Sequence, residues 1–307
     1  MTASAPASRR RSGSRRPVIA RIAAGIDGFP EGRDAAALGQ SLAKATGAEL
    51  MLVAVHSSAP LPVPPALSYS NLRKQSQLVL RDVRDSLAPG ARTLTATDYS
   101  VPRALHRVVH RHHRDLLVVG SSRQGAEGHV RIGKRTRQLL CHFECALAVA
   151  PRGLHANPQR GVRRIGVGYD GSAESDAALR LAASIATGAG VDLHVHAVVD
   201  DRVPVFARSV LSGLVENEWN EAITAEMGEI RARAVAAAER TNTPFDVEVA
   251  RGRPADVLLK LSENVDLLVI GSREWGPTAR LLLGSTGEAL MHDSACAVLA
   301  VPRPVSR

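Results

Sequence analysis

The stretch DLLVVGSS at Asp115–Ser122 occurs a second time as DLLVIGSR at Asp266–Arg273. A second pair lies further along the chain, CALAVAPR at Cys145–Arg152 and CAVLAVPR at Cys296–Arg303. In both pairs the second member follows the first by 151 positions. Chance similarity does not hold one register over such a distance, so the sequence indicates a duplicated domain.

The beginning of the repeat is in a different register. IDG at Ile26–Gly28 is matched by YDG at Tyr169–Gly171, which lies 143 positions later. The change of register predicts that the second copy holds about eight extra residues. They are expected between its second and fourth strands.

Each copy alternates short apolar runs with helical stretches. Such runs predict buried strands of a parallel sheet with helices on both faces. We therefore expect an α/β fold of two tandem, doubly wound, parallel five-stranded sheets, flavodoxin-like or Rossmann-like in type. The predicted strands are Arg21–Asp27, Glu49–His56, Arg92–Asp98, Leu116–Gly120 and Ala146–Ala150 in the first copy, and Arg164–Asp170, Asp192–Val199, Phe245–Ala250, Leu267–Gly271 and Ala297–Val301 in the second.

These patterns divide the 307 residues into four parts. Residues 1–19 are predicted to be a disordered basic tail, residues 20–152 the first copy, residues 153–161 a linker and residues 162–307 the second copy. Hydrophobic residues make up 45% of the chain and aromatic residues only 3%, so the core depends on aliphatic side chains. No membrane span or signal peptide is recognised, and a cytoplasmic protein is expected.

The formal net charge of +9 raises the question of a nucleic-acid partner. Five arginines of the tail account for more than half of this excess. The sequence holds no nucleic-acid-binding motif, and aromatic residues for base stacking are scarce. Nucleic acid is therefore not an expected partner.

Candidate binding residues follow the strands, because parallel sheets bind ligands at the carboxyl ends of their strands. Gly284, Ser285 and Thr286 open a predicted helix, where free amides and the helix dipole favour phosphate. The same Gly-Ser pair is also a common helix cap, so this alternative stays open.

As a whole, the pattern resembles the universal stress protein family in its tandem form. The resemblance rests on IDG and YDG, on the two DLLV motifs, on Gly284-Ser285 and on a closing Cys-x-x-x-x-Val segment, Cys296–Val301. It implies an adenine nucleotide alpha hydrolase-like fold, ATP as the ligand and dimerisation through the last strand, here strand five against strand five of the two copies. Members that bind ATP carry Gly-x2-Gly-x9-Gly followed by Ser or Thr.

Transferred position by position, the resemblance implies one site in each copy. In both, the residues are a small residue, an Asp, a valine at the end of strand two, and the glycine loop. The implied site residues are Gly25, Asp27, Val55, Gly120, Gly133 and Lys134 in the first copy, and Gly168, Asp170, Val198, Gly271, Arg273, Gly284, Ser285 and Thr286 in the second.

Both loops depart from the family pattern. Glu274 replaces the second glycine of the second copy, and Arg123 replaces that of the first. Lys134 stands where Ser or Thr is expected in the first copy. Together with Arg131 and Arg135, these cations suggest that the first loop binds phosphate by charge instead.

Three other chemistries are weighed and rejected. GHVRIGKR at Gly128–Arg135 lacks the Ser or Thr of a P-loop and does not follow its strand directly. Cys141 and Cys145 have no second ligand pair to complete a metal site. His106 and His110 are four apart, but a solvated basic helix face explains them better.

The expected function is therefore that of a non-enzymatic, ATP-binding stress protein, with Mg²⁺ as an optional companion of the nucleotide. Two alternatives stay open. One is an interaction protein of the same family that has lost its ligand, and the other is a slow ATPase.

Overall fold

The computed structural model describes residues 19–56, 69–140, 145–158, 161–202, 213–272 and 283–302. In these ranges ten strands alternate with helices. Every predicted strand is present, and its ends agree with the prediction to within one residue. The strands are β1 Arg21–Ile26, β2 Glu49–His56, β3 Arg92–Thr97, β4 Leu116–Gly120, β5 Ala146–Ala150, β6 Ile165–Tyr169, β7 Leu193–Val199, β8 Phe245–Arg251, β9 Leu267–Gly271 and β10 Ala297–Val301.

The helices cross between parallel strands in both copies. They are α1 Pro30–Thr46, α2 Tyr69–Leu87, α3 Val101–Arg111, α4 Lys134–Leu140, α5 Ala173–Ala189, α6 Gly213–Glu239, α7 Pro254–Ser262 and α8 Ser285–Asp293. The extra residues of the second copy lie in α6, which has 27 residues against 19 in its counterpart α2.

The strands form one continuous sheet in the order β3-β2-β1-β4-β5-β10-β9-β6-β7-β8. All pairs within a copy are parallel, whereas β5 and β10 are antiparallel, with Ala148 opposite Leu299. The expected contact of strand five with strand five is thus present within one chain. It joins the two five-stranded halves.

The first residue of the repeated motif has the same role in both copies. The Asp115 carboxylate accepts hydrogen bonds from the amides of Ala20 and Arg21, each at 2.9 Å. Asp266 accepts equivalent bonds at 3.1 and 3.0 Å from Arg163 and Arg164. Each carboxylate therefore joins the start of the fourth strand to the start of the first.

The linker is docked against the first copy. Gly153 and the short 3₁₀ turn Leu154–Ala156 lie against α1, where the fully buried Asp34 accepts bonds from the Gly153 amide at 2.9 Å and the His155 amide at 2.8 Å. Hydrophobic clusters on the two faces of the sheet each contain residues of both copies. The halves therefore share their cores.

Candidate functional site

A cleft of about 610 Å³ opens at the carboxyl ends of β1 and β4, where the strand order reverses. We call it site 1. Its walls come from the ends of these strands and from the first turns of α1, α3 and α4. All six residues expected of the first copy line it: Gly25, Asp27, Val55, Gly120, Gly133 and Lys134.

One wall of site 1 is apolar. Val53, Val55, Leu105 and Val119 form it, and Gly25 faces them. A Cβ added to Gly25 would lie 3.6 Å from a methyl group of Leu105, an ordinary contact. Local packing therefore tolerates a side chain at Gly25, and its absence leaves space open beside this apolar wall.

The Asp27 carboxylate lies at the turn after β1. Its Oδ1 accepts a hydrogen bond from the Phe29 amide at 3.2 Å. Asp27 is exposed as a residue, but partial desolvation of its carboxyl raises its pKa, and the negative charge of Glu31 raises it further, while the Phe29 bond and Arg123 act against them. A hydrogen bond donated by a ligand would stabilise the charged form of this carboxylate.

The opposite side of site 1 is cationic. Arg123, Lys134 and Arg135 line it, and their side chains are exposed. The guanidinium of Arg123 lies over the Phe29 ring at 4.3 Å from its centre, which connects the turn after β1 with the loop after β4. These groups can receive a polyanion.

Gly120 has a structural reason to be a glycine. A Cβ at this position would lie 2.0 Å from the carbonyl oxygen of Glu31 in the first turn of α1. Gly271 of the second copy approaches Glu174 in the same way, with the added Cβ 2.6 Å from the carbonyl carbon. Gly133 differs, because an added Cβ would lie only in ordinary contact with Ser122, at 3.7 Å.

Residues 121–133, which we call the site-1 loop, are held by Ser121. Its hydroxyl donates to the Ala150 carbonyl at 2.8 Å and accepts from the Arg131 amide at 3.2 Å. The Ser122 amide closes the loop by donating to the Arg131 carbonyl at 2.6 Å. Arg123 thus projects from an ordered loop.

The second copy places its expected residues at the same edge of the sheet. Gly168 lies in β6, and Asp170 follows that strand, which is paired with β7 and β9. The Asp170 carboxylate accepts from the amide and the hydroxyl of Ser172, at 3.0 and 2.5 Å. Val198 lies in β7, and Gly271 ends β9. We call this edge site 2.

The other residues expected in site 2 lie at the start of α8. Gly284 is its N-cap residue, and Ser285 and Thr286 open its first turn, whose amides have no partner within the helix. Arg273, which was expected in this site, lies outside the described residues, as does Glu274.

Three residues near Asp27 were not expected from the sequence. Phe29 supplies the ring beneath Arg123, and Glu31 is a buried carboxylate with Oε1 at 3.6 Å from Arg152 Nε. Gly32 allows α1 to approach, since a Cβ there would lie 2.7 Å from Asp27 Oδ1. The second copy has Ser172 and Ser175 at the positions of Phe29 and Gly32, so comparison of the repeats did not single them out.

The described residues also bear on metal binding and on membrane insertion. No group of three or more His, Cys, Asp or Glu residues in them could hold a metal ion. No helix in the described ranges is long and apolar enough to cross a membrane.

A parallel sheet with helices on both faces and polar turns at its switch points defines a doubly wound α/β protein. The model of the universal stress protein family matches residues 19–151 and 161–302. The chain belongs to the universal stress protein family, as a tandem pair of its domains.

The relatives agree with this assignment. A universal stress protein of Mycobacterium tuberculosis is 29% identical over 187 residues, which cover 60% of this chain and 61% of that relative. Another from Thermus aquaticus is 30% identical over 141 residues, 43% of this chain and 93% of the relative. The chain thus matches less than two thirds of the mycobacterial protein.

Among solved structures, a universal stress protein from Archaeoglobus fulgidus superimposes with a TM-score of 0.68 and 19% identity. The match covers 92% of this chain and 98% of that one. At this identity the likeness shows a shared fold alone, and the match extends over both halves of the sheet.

Proposed function

We propose that the protein is a non-enzymatic, cytoplasmic stress protein that binds an adenine nucleotide, with ATP as the ligand at site 1 and at site 2. The observation that carries the proposal is site 1 itself. One cleft joins an apolar wall, where Gly25 leaves space for a base, to a side lined by three cations. A nucleotide has the same polarity, with an apolar base and an anionic tail.

The residues take distinct roles in this proposal. Gly25 and Val55 border the base, and Asp27 accepts a donor from the nucleoside. Gly133 lets the loop approach the phosphates, while Lys134 and Arg123 supply their counter-charge. In site 2 the first-turn amides of α8 and the hydroxyls of Ser285 and Thr286 replace the cations.

The two sites differ in their fit to Mg²⁺. Lys134 and Arg135 of site 1 stand where site 2 has Ser285 and Thr286. Hydroxyl and phosphate oxygens are ligands for Mg²⁺, whereas an ammonium and a guanidinium repel it. Site 2 therefore suits nucleotide with its cation, and site 1 suits nucleotide without it.

Mass spectrometry of the small molecules released when the purified protein is denatured tests the proposal directly. We expect adenine nucleotide to be released, and ATP to raise the melting temperature of the emptied protein. Protein that releases no nucleotide and shows no thermal shift with ATP would be a ligand-free interaction protein. ATP turnover above the buffer rate, lost in Asp27→Asn or Asp170→Asn, would instead identify a slow ATPase.

A further inference from the structure

The site-1 loop is held partly by the second copy. The Val130 amide donates to the Ser294 carbonyl at 2.7 Å, and the Ile132 amide donates to the Met291 carbonyl at 2.9 Å. Met291 lies in the last turns of α8, and Ser294 is its C-cap residue. Two orphan carbonyls of this helix therefore find their partners in the loop that lines site 1.

Side chains reinforce this contact between the copies. Val130 is fully buried and Ile132 is 6% exposed, and both belong to the same hydrophobic cluster as Met291. On α4, Arg137 Nη2 lies 3.0 Å from Nε2 of His292 in α8. Gly133 and Lys134, which line site 1, directly follow Ile132 in the chain.

The first copy holds the other half of the same loop. Arg152 donates to the Gly125 carbonyl at 2.8 Å, and its own carbonyl accepts from the Gly128 amide at 2.9 Å. The site-1 loop is thus held by contacts in both copies, and the contact with α8 through Ile132 directly adjoins Gly133.

One helix therefore contacts both sites. α8 has nine residues, a length of about 13 Å at 1.5 Å per residue. Its N-terminal turn carries residues expected in site 2, and its C-terminal carbonyls hold the site-1 loop. An anion at the N-terminus polarises the hydrogen bonds of the helix in the direction that strengthens its C-terminal carbonyls as acceptors.

We propose that the second copy positions site 1 through Met291 and Ser294, and that α8 couples the two sites so that each binds nucleotide more tightly when the other is filled. This inference rests on the proposed function. It extends that function with a positive cooperativity that two independent domains would not have.

The test follows site 1 separately in the full-length chain. Phe29→Trp at the mouth of the cleft, in a background where the native Trp219 and Trp275 are changed to Phe, gives a fluorescent reporter, and ATP is titrated against it. Calorimetry of the same protein counts both sites. In this background Asp170→Asn weakens site 2, and we expect the affinity of site 1 to fall about fivefold or more.

Met291→Ala loosens the contact between the site-1 loop and α8 without touching the cleft, and we expect it to weaken site 1 by a similar factor. It also removes the effect of Asp170→Asn. Leu181→Ala is the matched control, because it deletes a buried aliphatic side chain of the second copy on α5, which does not hold the loop. It should leave the affinity of site 1 unchanged.

The outcomes separate the two proposals. ATP binding at both sites of the parent protein, with a site-1 affinity that neither Asp170→Asn nor Met291→Ala changes, would overturn the coupling and leave the proposed function standing. An effect of Leu181→Ala equal to that of Met291→Ala would also overturn it, since the loss would then reflect general destabilisation. Absence of ATP binding at both sites in calorimetry would reject the proposed function and the coupling together.

Discussion

Asp27 holds a negative charge in surroundings that disfavour it, because partial desolvation and the neighbouring Glu31 raise the pKa of its carboxyl. A raised pKa means that the folded state binds the proton more tightly than the unfolded state does. Stability from this group is therefore complete below the ordinary pKa of 3.8 and is lost as the pH rises through the higher folded value.

Asp27→Asn removes this charge and keeps an oxygen for the Phe29 amide. We expect the melting temperature of the ligand-free variant at pH 7 to equal or slightly exceed that of the wild type, and the thermal shift with ATP to shrink to the part that site 2 contributes. Scanning calorimetry from pH 4 to 8, with and without ATP, measures both. A lower melting temperature without ligand, together with an intact ATP shift, would show that Asp27 is a structural residue.

Gly120 is fixed by contact rather than by conformation. Gly120→Ala would place a methyl group 2.0 Å from the Glu31 carbonyl oxygen, so α1 has to move. We expect a loss of about 3 kcal/mol in the free energy of unfolding, at the upper end of overpacking effects. Gly90→Ala is the control, because no atom lies within 4 Å of the added carbon, and its effect should stay within about 0.5 kcal/mol in urea denaturation. Equal effects would contradict the close approach.

Among the elements, the linker depends on one buried carboxylate. Asp34 accepts from the amides of Gly153 and His155, and the His155 Nδ1 lies 2.6 Å from its Oδ1. Asp34→Ala leaves these donors without their partner. We expect it to cost about 2–4 kcal/mol in the free energy of unfolding and to expose residues 153–161 to proteases.

The exposed Asp82, paired with Arg33 at 2.6 Å, provides the comparison for Asp34. Asp82→Ala should cost at most about 1 kcal/mol and leave the linker protected from proteolysis. If both variants are cleaved in the linker at the wild-type rate, the linker is held by other contacts.

Strands were predictable from the sequence because each is a short aliphatic run with a clear end. Gly120 and Gly271 end the fourth strand of each copy in the same motif. The Asp that begins each motif makes the same hydrogen bonds in both copies. The docked linker was not predictable. Asp34 and Gly153 are 119 residues apart, and Ala177 occupies the equivalent position of the second copy.

The candidate site, like the fold, was only partly predictable from the sequence. The spacing around Asp27, Gly120 and Gly133 was transferable from the family pattern, and the fold brings these residues to one cleft. Phe29 and the contact at Met291 were not predictable. Phe29 is a turn residue that differs between the repeats, and the Met291 contact is a backbone hydrogen bond between distant residues, which leaves no sequence pattern. The chemistry of the side chains could be predicted from the sequence, whereas the contacts between the copies became visible only in the structure.

In the whole molecule, the two copies are similar in sequence but opposite in the sign of their net charge. Residues 20–152 contain 18 Lys and Arg against 10 Asp and Glu, whereas residues 162–307 contain 15 against 20. The continuous sheet therefore joins a basic half to an acidic half. Under the proposed function, an anionic nucleotide would be attracted to site 1 and repelled by the net charge of the half that holds site 2.

We therefore expect association of ATP with site 1 to slow steeply as salt rises from 0.01 to 1 M, over which the screening length falls from about 30 to 3 Å. Stopped-flow fluorescence of the Phe29→Trp reporter measures this. Changing Arg123, Lys134 and Arg135 together to Ala should flatten the salt dependence of the rate. Changing Arg73, Lys74 and Arg81 on the exposed side of α2 removes the same charge outside the cleft. If both triple variants flatten it equally, the net charge of the first copy, and not the cations of the cleft, attracts the nucleotide.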